Sequence, residues 1–192
     1  MSTDAGDRAA LRRKLRSRRS ALDATFRAAA AASAAAHITR LPGWAAAQRV
    51  ALYWPNDGEI DTTALIQLCR KHNKQVYLPV LAPGSTLVFR AWLPDQPLLN
   101  NRFNIPEPGQ NCPEHPVSGL DVLILPVVGW QRDGCRLGMG GGFYDRTLAS
   151  VEGPRYVGLA YQCQEITGLA MERWDVGLEY VLTETGLQRL ST

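Results

Sequence analysis

Leu11, Leu15, Leu22 and Phe26 recur at helical spacing between arginines and lysines. The stretch 25–37 is dense in alanine, the strongest helix former. One or two helices are therefore predicted within the first forty residues, the alanines serving as a small-residue packing face. The spacing then changes. Residues 49–55, RVALYWP, read as a buried strand that ends in the turn-forming run Asn56-Asp57-Gly58. Asp61 with Thr62 and Thr63 marks a helix start before an apolar run that stops near His72-Asn73. A strand at Val76–Leu81 follows at once, so strand, helix and strand form a βαβ-like unit that favours parallel pairing. Leu87–Leu93 is a further short strand. Residues 94–116 are rich in Pro, Asn, Gly and Gln, without periodicity, and read as a long ordered excursion of the functional kind. The most apolar strand, 121–128, runs into a glycine-rich segment, followed by a helix from about Phe143 and strands at 155–161 and 180–183. With no repeat and no dividing linker, the pattern predicts one α/β domain over residues 1–192, with a central, mainly parallel sheet and helices on both faces.

Composition changes this picture little. The 192 residues are 45% apolar and 20% charged, ordinary for a globular protein, and the formal net charge is +3. That excess is local: residues 1–27 hold Arg8, Arg12, Arg13, Lys14, Arg16, Arg18, Arg19 and Arg27 against Asp4, Asp7 and Asp23. A nucleic-acid-binding module is the rival reading of this basic helix, but its charges are not interleaved with aromatics as in single-strand binders. Cys69, Cys112, Cys135 and Cys163 form no C-x-x-C pair and are expected to be free thiols. His37, His72 and His115 form no metal-binding pattern. No apolar run approaches the roughly 20 residues that span a bilayer, and no apolar run follows the basic amino end as in a secretory signal, so no membrane association and a cytoplasmic address are expected.

The chemistry is expected between the strand at 121–128 and the following helix. Gly138, Gly140, Gly141 and Gly142 remove side-chain bulk where open parallel sheets bind ligands, at the carboxyl ends of strands. Backbone N–H groups there can turn toward an anion, aided by the helix start, and Arg136 adds a full charge. Asp145 is placed to hold a divalent cation against phosphates. A tight turn that needs glycine for its conformation alone accounts for the glycines equally well. The pattern is neither a P-loop nor a complete dinucleotide fingerprint.

The segment Leu125–Arg146, LPVVGWQRDGCRLGMGGGFYDR, resembles the signature of the 5-formyltetrahydrofolate cyclo-ligase family, also called methenyltetrahydrofolate synthetases. Arg8-Ala9-Ala10-Leu11-Arg12 is similar to the family's basic amino-terminal element, and Tyr53–Thr62 to its Tyr…Glu-acid-Thr segment. Phe103-Asn104-Ile105-Pro106-Glu107-Pro108, then Val157–Tyr161 with Gln164, and Trp174-Asp175-Val176 continue the resemblance in order.

The resemblance implies the fold shared with ribose-5-phosphate isomerase and CoA transferases. It implies a C–N bond-forming ligase that converts 5-formyltetrahydrofolate to 5,10-methenyltetrahydrofolate, consuming ATP with Mg2+ and releasing ADP and phosphate. The formyl oxygen would take the γ-phosphoryl group and N10 would then attack. Such transfer needs charge neutralisation and alignment more than a protein nucleophile. Carried over by position, Arg8, Arg12 and the loop Arg136, Leu137, Gly138, Met139, Gly140, Gly141, Gly142, Phe143 and Tyr144 would bind ATP. Arg136 and Asp145 would be catalytic. Asn56, Asp61, Phe103 and the stretch Met139–Phe143 would contact the folate, and Asp145 with Asp175 would hold Mg2+. Arg8 stands where lysine is common in the family, and Phe143 where tyrosine is common. Asp61 reads equally well as a helix cap, and Glu107 as an acid that orders its loop. The chain is expected to act as a monomer on 5-formyltetrahydrofolate and ATP, without nucleic acid.

Overall fold

A computed structural model describes residues 5–191. Helix α1 (Ala5–Ser20) precedes α2 (Ala24–His37), which starts at Asp23, whose carboxylate accepts the N–H of Phe26 at 2.8 Å. The alanines of α2 act as expected: Ala30, Ala31, Ala34 and Ala35 are buried and bring the helix close to the sheet. Strand β1 (Arg49–Ala51), helix α3 (Thr63–Lys71) and strand β2 (Gln75–Ala82) form the expected unit, with β1 and β2 parallel. Then come β3 (Thr86–Ala91), β4 (Leu98–Asn100), β5 (Pro106–Pro108), β6 (Glu114–His115) and β7 (Val122–Pro126). The chain ends with β8 (Gly129–Trp130), β9 (Arg136–Leu137), α4 (Phe143–Leu148), β10 (Arg155–Leu159), β11 (Tyr180–Thr183) and β12 (Gly186–Arg189).

Eight strands form the main sheet in the order β12-β11-β10-β7-β1-β2-β3-β6. The five central strands, β11 to β2, pair in parallel, and antiparallel strands close both edges. Alternation along each strand splits the core. Val50, Leu78, Ile124, Val157 and Leu182 pack under α2 and α3, whereas Ala51, Tyr77, Leu123, Leu125 and Val181 face α4. A third cluster of Leu15, Val128, Cys135, Leu137 and Leu169 seats α1 on the β8–β9 hairpin.

Three features differ from the sequence expectation. The strand expected over 49–55 ends its ladder at Leu52, whose N–H reaches Tyr77 O at 3.0 Å, and the chain then leaves the sheet. The excursion at 94–116 contains the β4–β5 hairpin and β6, hidden in the sequence because Pro106 and Pro108 suppress the strand signal. The two-residue strands β8 and β9, and the edge strand β12, are too short to show periodicity. All four cysteines are free, as expected, and burial pushes the Cys69 thiol up to about 12 and that of Cys135 up to about 11. Among the described residues no helix is long and apolar enough to cross a membrane.

Candidate active site

A cleft of about 420 Å3 opens at the carboxyl ends of β1, β2 and β7. From β1 the chain crosses through α3 to β2 on one side, and from β7 it crosses to β10 on the other. The strand order thus reverses between β7 and β1, the position where parallel sheets leave a crevice for ligands. One wall is the segment after β1, with Tyr53, Trp54, Asn56, Asp57 and Glu59. The opposite wall is the glycine loop with Arg136 and Phe143–Asp145, and the β4–β5 hairpin contributes Asn101, Phe103, Ile105 and Glu107.

Gly140 (φ 98°) and Gly142 (φ 67°) occupy the left-handed region, so conformation alone demands glycine at these two positions. It does not demand it at Gly138 or Gly141. The Gly138 carbonyl accepts Arg12 Nε at 2.8 Å, and the Gly141 carbonyl accepts Arg146 Nη2. Arg146 is anchored in turn through Nε to Ser85 O at 3.0 Å. Two arginines outside the cleft lining therefore brace the loop by its carbonyls. Helix α4 has only six residues, so the positive charge on this wall comes chiefly from Arg136. Its residue is 5% exposed; Nη2 donates to Asp145 Oδ1 at 2.5 Å, and its buried Nε has no hydrogen-bond partner. Asp145 Oδ1 also accepts the N–H of Val176 at 3.3 Å.

Asn101 builds the hairpin side. Its Oδ1 accepts the N–H groups of Phe103 (2.9 Å) and Ile105 (3.2 Å), and its Nδ2 donates to Glu107 Oε2 at 3.0 Å. Glu107 also accepts the N–H of Leu81 at 3.2 Å, so it orders the loop, as the sequence suggested. The result holds the Phe103 ring 51% exposed and edge-on to Phe143, with centroids 6.0 Å apart. Met139, half exposed, adds to the apolar lining.

On the facing wall, Asn56 N–H donates to Glu59 Oε2 at 3.0 Å. Burial pushes the Glu59 carboxyl up to about 7, with Asp57 acting in the same direction and the Asn56 N–H and Arg19 opposing. Sequence reasoning did not single out Glu59. The available signal was an acid directly after the Asn56-Asp57-Gly58 turn that closes a buried strand.

A sequence profile of the 5-formyltetrahydrofolate cyclo-ligase family matches residues 4–184. The chain belongs to this family. It is 44% identical over 177 residues to the 5-formyltetrahydrofolate cyclo-ligase of Haemophilus influenzae, covering 90% of this chain and 95% of that one. It is 41% identical over 174 residues to the Escherichia coli K12 cyclo-ligase, covering 88% and 96%. The solution structure of Aquifex aeolicus 5,10-methenyltetrahydrofolate synthetase superposes with a TM-score of 0.83 at 30% identity, covering 96% of this chain and 93% of that one.

In this cyclo-ligase family member, the residues singled out from sequence do not all meet. Asn56, Phe103, Arg136, Gly138–Gly142, Phe143, Tyr144 and Asp145 line the cleft. Leu137 is fully buried against Leu15 and contributes no side chain to it. Asp61 is exposed and outside the lining; its Oδ1 accepts the N–H of Thr63 at 2.7 Å in a turn just before α3, whose N-cap position is Thr62 and not Asp61. Arg8 and Asp175 also lie outside the lining and pair with each other at 2.9 Å, their side chains 12% and 9% exposed. Arg8 Nη2 further donates to Ala170 O at 2.7 Å, and Asp175 accepts the N–H of Glu172 at 2.9 Å. Among the described residues no three His, Cys, Asp or Glu side chains cluster as a metal cage. Magnesium carried on phosphate oxygens needs only one or two carboxylates. Each acid is paired with an arginine, Asp145 with Arg136 and Asp175 with Arg8, but only Asp145 is in the lining beside the loop, where it fits that demand.

Four arginines of α1 have partners within the chain. Arg8, Arg12, Arg16 and Arg19 follow at intervals of four, four and three, which places them on one helical face. Each has an intramolecular partner: Asp175 for Arg8, Gly138 O for Arg12, and Asp57 for both the exposed Arg16 and the buried Arg19.

Proposed function

We propose that the chain converts 5-formyltetrahydrofolate and ATP to 5,10-methenyltetrahydrofolate, ADP and phosphate. The observation that carries this reading is the pair of buried Arg136 with half-buried Asp145 beside the braced glycine loop, in one cleft with the exposed Phe103 ring and the Glu59 carboxyl. The phosphate-facing wall is cationic and lean in side chains; the other wall offers an aromatic surface and a carboxyl, as a folate requires. Membership of the cyclo-ligase family supports the same assignment.

The formyl oxygen attacks the γ-phosphorus and the bond to ADP breaks. The N10 lone pair then attacks the formyl carbon, the C–O bond breaks to release phosphate, and N10 gives up its proton. Arg136 stabilises charge on the transferring phosphoryl oxygens from a site that is largely dry and needs no reorganisation. The glycine loop, held by Arg12 and Arg146, lets phosphates approach backbone closely. Asp145 is the carboxylate that would hold Mg2+ beside the loop, where the ion would supply charge neutralisation to the phosphates. Phe103 and Phe143 flank the folate and exclude water. Glu59, in its ionised form, accepts N–H groups of the folate. Arg8 and Asp175 act behind the wall by fixing α1 against the segment 170–176.

Turnover of 5-formyltetrahydrofolate, followed by methenyl absorbance with and without ATP, tests the reading. ATP-dependent product formation is expected. Folate binding without turnover at any ATP and Mg2+ concentration would overturn it.

A further inference from the structure

Arg19 is the most deeply buried charge of the described chain that the reaction does not employ. Its side chain is 0% exposed, Nη2 donates to Asp57 Oδ2 at 2.7 Å, and Nε and Nη1 are buried without a hydrogen-bond partner. Asp57 is also gripped by Arg16, through Nε at 2.6 Å and Nη2 at 3.1 Å. Asp57 has a left-handed backbone (φ 51°), unfavourable for a residue with a side chain, and Gly58 follows at φ 76°. Arg27 closes the arrangement by donating to Arg19 O and Ser20 O, with its guanidinium packed by Gly58. A guanidinium taken wholly from water is a poor means of filling space, because an apolar side chain would pack there without desolvation. What it adds is charge and direction at the turn that carries Glu59.

Resting on the folate reading of the cleft, we infer that Arg19 is a positioning residue for the folate wall: through Asp57 it fixes the Asn56–Glu59 turn and sets the field at Glu59. The groups facing Glu59 are Arg19 from α1, Asp57 and the Asn56 N–H from its own turn, Tyr53 from the segment after β1, and Tyr144 from α4. Arg19 favours the ionised form of Glu59 and Asp57 opposes it. The same helix reaches the opposite wall through Arg12 and Gly138 O, so the two contacts predict separable effects.

The test measures KM for each substrate, the acid limb of kcat/KM for folate and the thermal midpoint, in wild type, Arg19→Met, Arg19→Lys and Asp57→Ala. Arg19→Met is expected to raise the folate KM by about tenfold or more, leave the ATP KM unchanged and move the acid limb to higher pH. Arg19→Lys keeps the charge, so the limb returns while the folate KM recovers only in part. Asp57→Ala should raise the folate KM and move the limb to lower pH. Should Arg19→Met fail to fold, the other two variants carry both readouts. An unmoved limb in folded variants reduces Arg19 to structural support and overturns the inference, as does a parallel rise in the ATP KM. Absence of turnover in wild type overturns the proposed function instead.

Discussion

Arg136 and Asp145 face each other at 2.5 Å across the glycine loop, tying strand β9 to the first turn of α4. The loop between them is thereby closed at its base by an ion pair, and Arg136, 5% exposed, keeps unused N–H capacity at Nε. Arg136→Ala is expected to lower kcat at saturating ATP by roughly 100-fold or more, the scale of losing one preorganised donor. Folate affinity should change far less. Single-turnover rates and a folate binding titration measure both, and an unchanged kcat would remove Arg136 from the chemistry.

The two acids assigned to magnesium should part company. Asp145→Asn keeps a hydrogen-bonding partner for Arg136 but removes the carboxylate beside the loop, so more Mg2+ should be needed for half-maximal activity. Asp175→Asn leaves Arg8 buried with weakened compensation. Its expected signature is lost stability, about 3 kcal/mol by the scale of broken buried pairs, with an unchanged magnesium curve. Superimposable magnesium titrations for wild type and Asp145→Asn would exclude Asp145 from the metal.

Glu59 links activity and stability with opposite signs. With its carboxyl raised from 4.5 to about 7, the ionised form that accepts folate N–H groups is lost as pH falls through 7, so kcat/KM for folate should decline there. Below pH 4.5 the carboxyl is protonated in both the folded and unfolded states. Between 4.5 and 7 the unfolded chain ionises first, so the native state loses stability as pH rises, and the penalty is constant above 7. Glu59→Gln should therefore weaken turnover at pH 7.5 while raising the thermal midpoint, an advantage that shrinks as pH falls toward 4.5. Thermal midpoints across that range check the sign.

The glycines of the loop should separate by backbone demand. Gly142→Ala forces a side chain into φ 67° and sets its Cβ 2.6 Å from the Arg146 guanidinium, so a loss of about 1 kcal/mol or more is expected. At Gly138 the added Cβ would meet Arg136 Nη1 at 3.5 Å, an ordinary contact, and the fold should tolerate alanine. If Gly138→Ala nonetheless raises the ATP KM, the bare backbone there serves phosphate approach. Denaturant midpoints and ATP titrations read the two effects.

Phe103→Ala should raise the folate KM several-fold and spare ATP, on the scale of about 1 kcal/mol for an aromatic contact. Phe103→Tyr should retain most of the affinity. Equal effects on both substrates would show that the ring supports the glycine loop through Phe143 instead.

Local chemistry was enough to specify the parallel βαβ core, the alanine helix and the glycine loop after the most apolar strand, because their periodicity and turn residues act over a few positions. The order of motifs along 125–146 and around them carried the family and hence the expected reaction. Neighbour relations between distant segments were not legible. Asp61 and Glu59 are two acids close together in sequence, and only packing decided that Glu59 would sit half-buried in the cleft while Asp61 stayed outside it, holding the Thr63 N–H. Arg8 and Asp175, 167 positions apart, are brought together by the fold as a largely buried pair that no local pattern announces. The basic residues of α1 gave no sign in sequence of which would turn inward, yet Leu15 in the third core cluster seats that helix so that Arg12 and Arg19 reach opposite walls of the cleft. A sequence encodes which side chains can carry charge; burial and partners set by the tertiary structure decide which of those charges face a ligand and which are spent on each other.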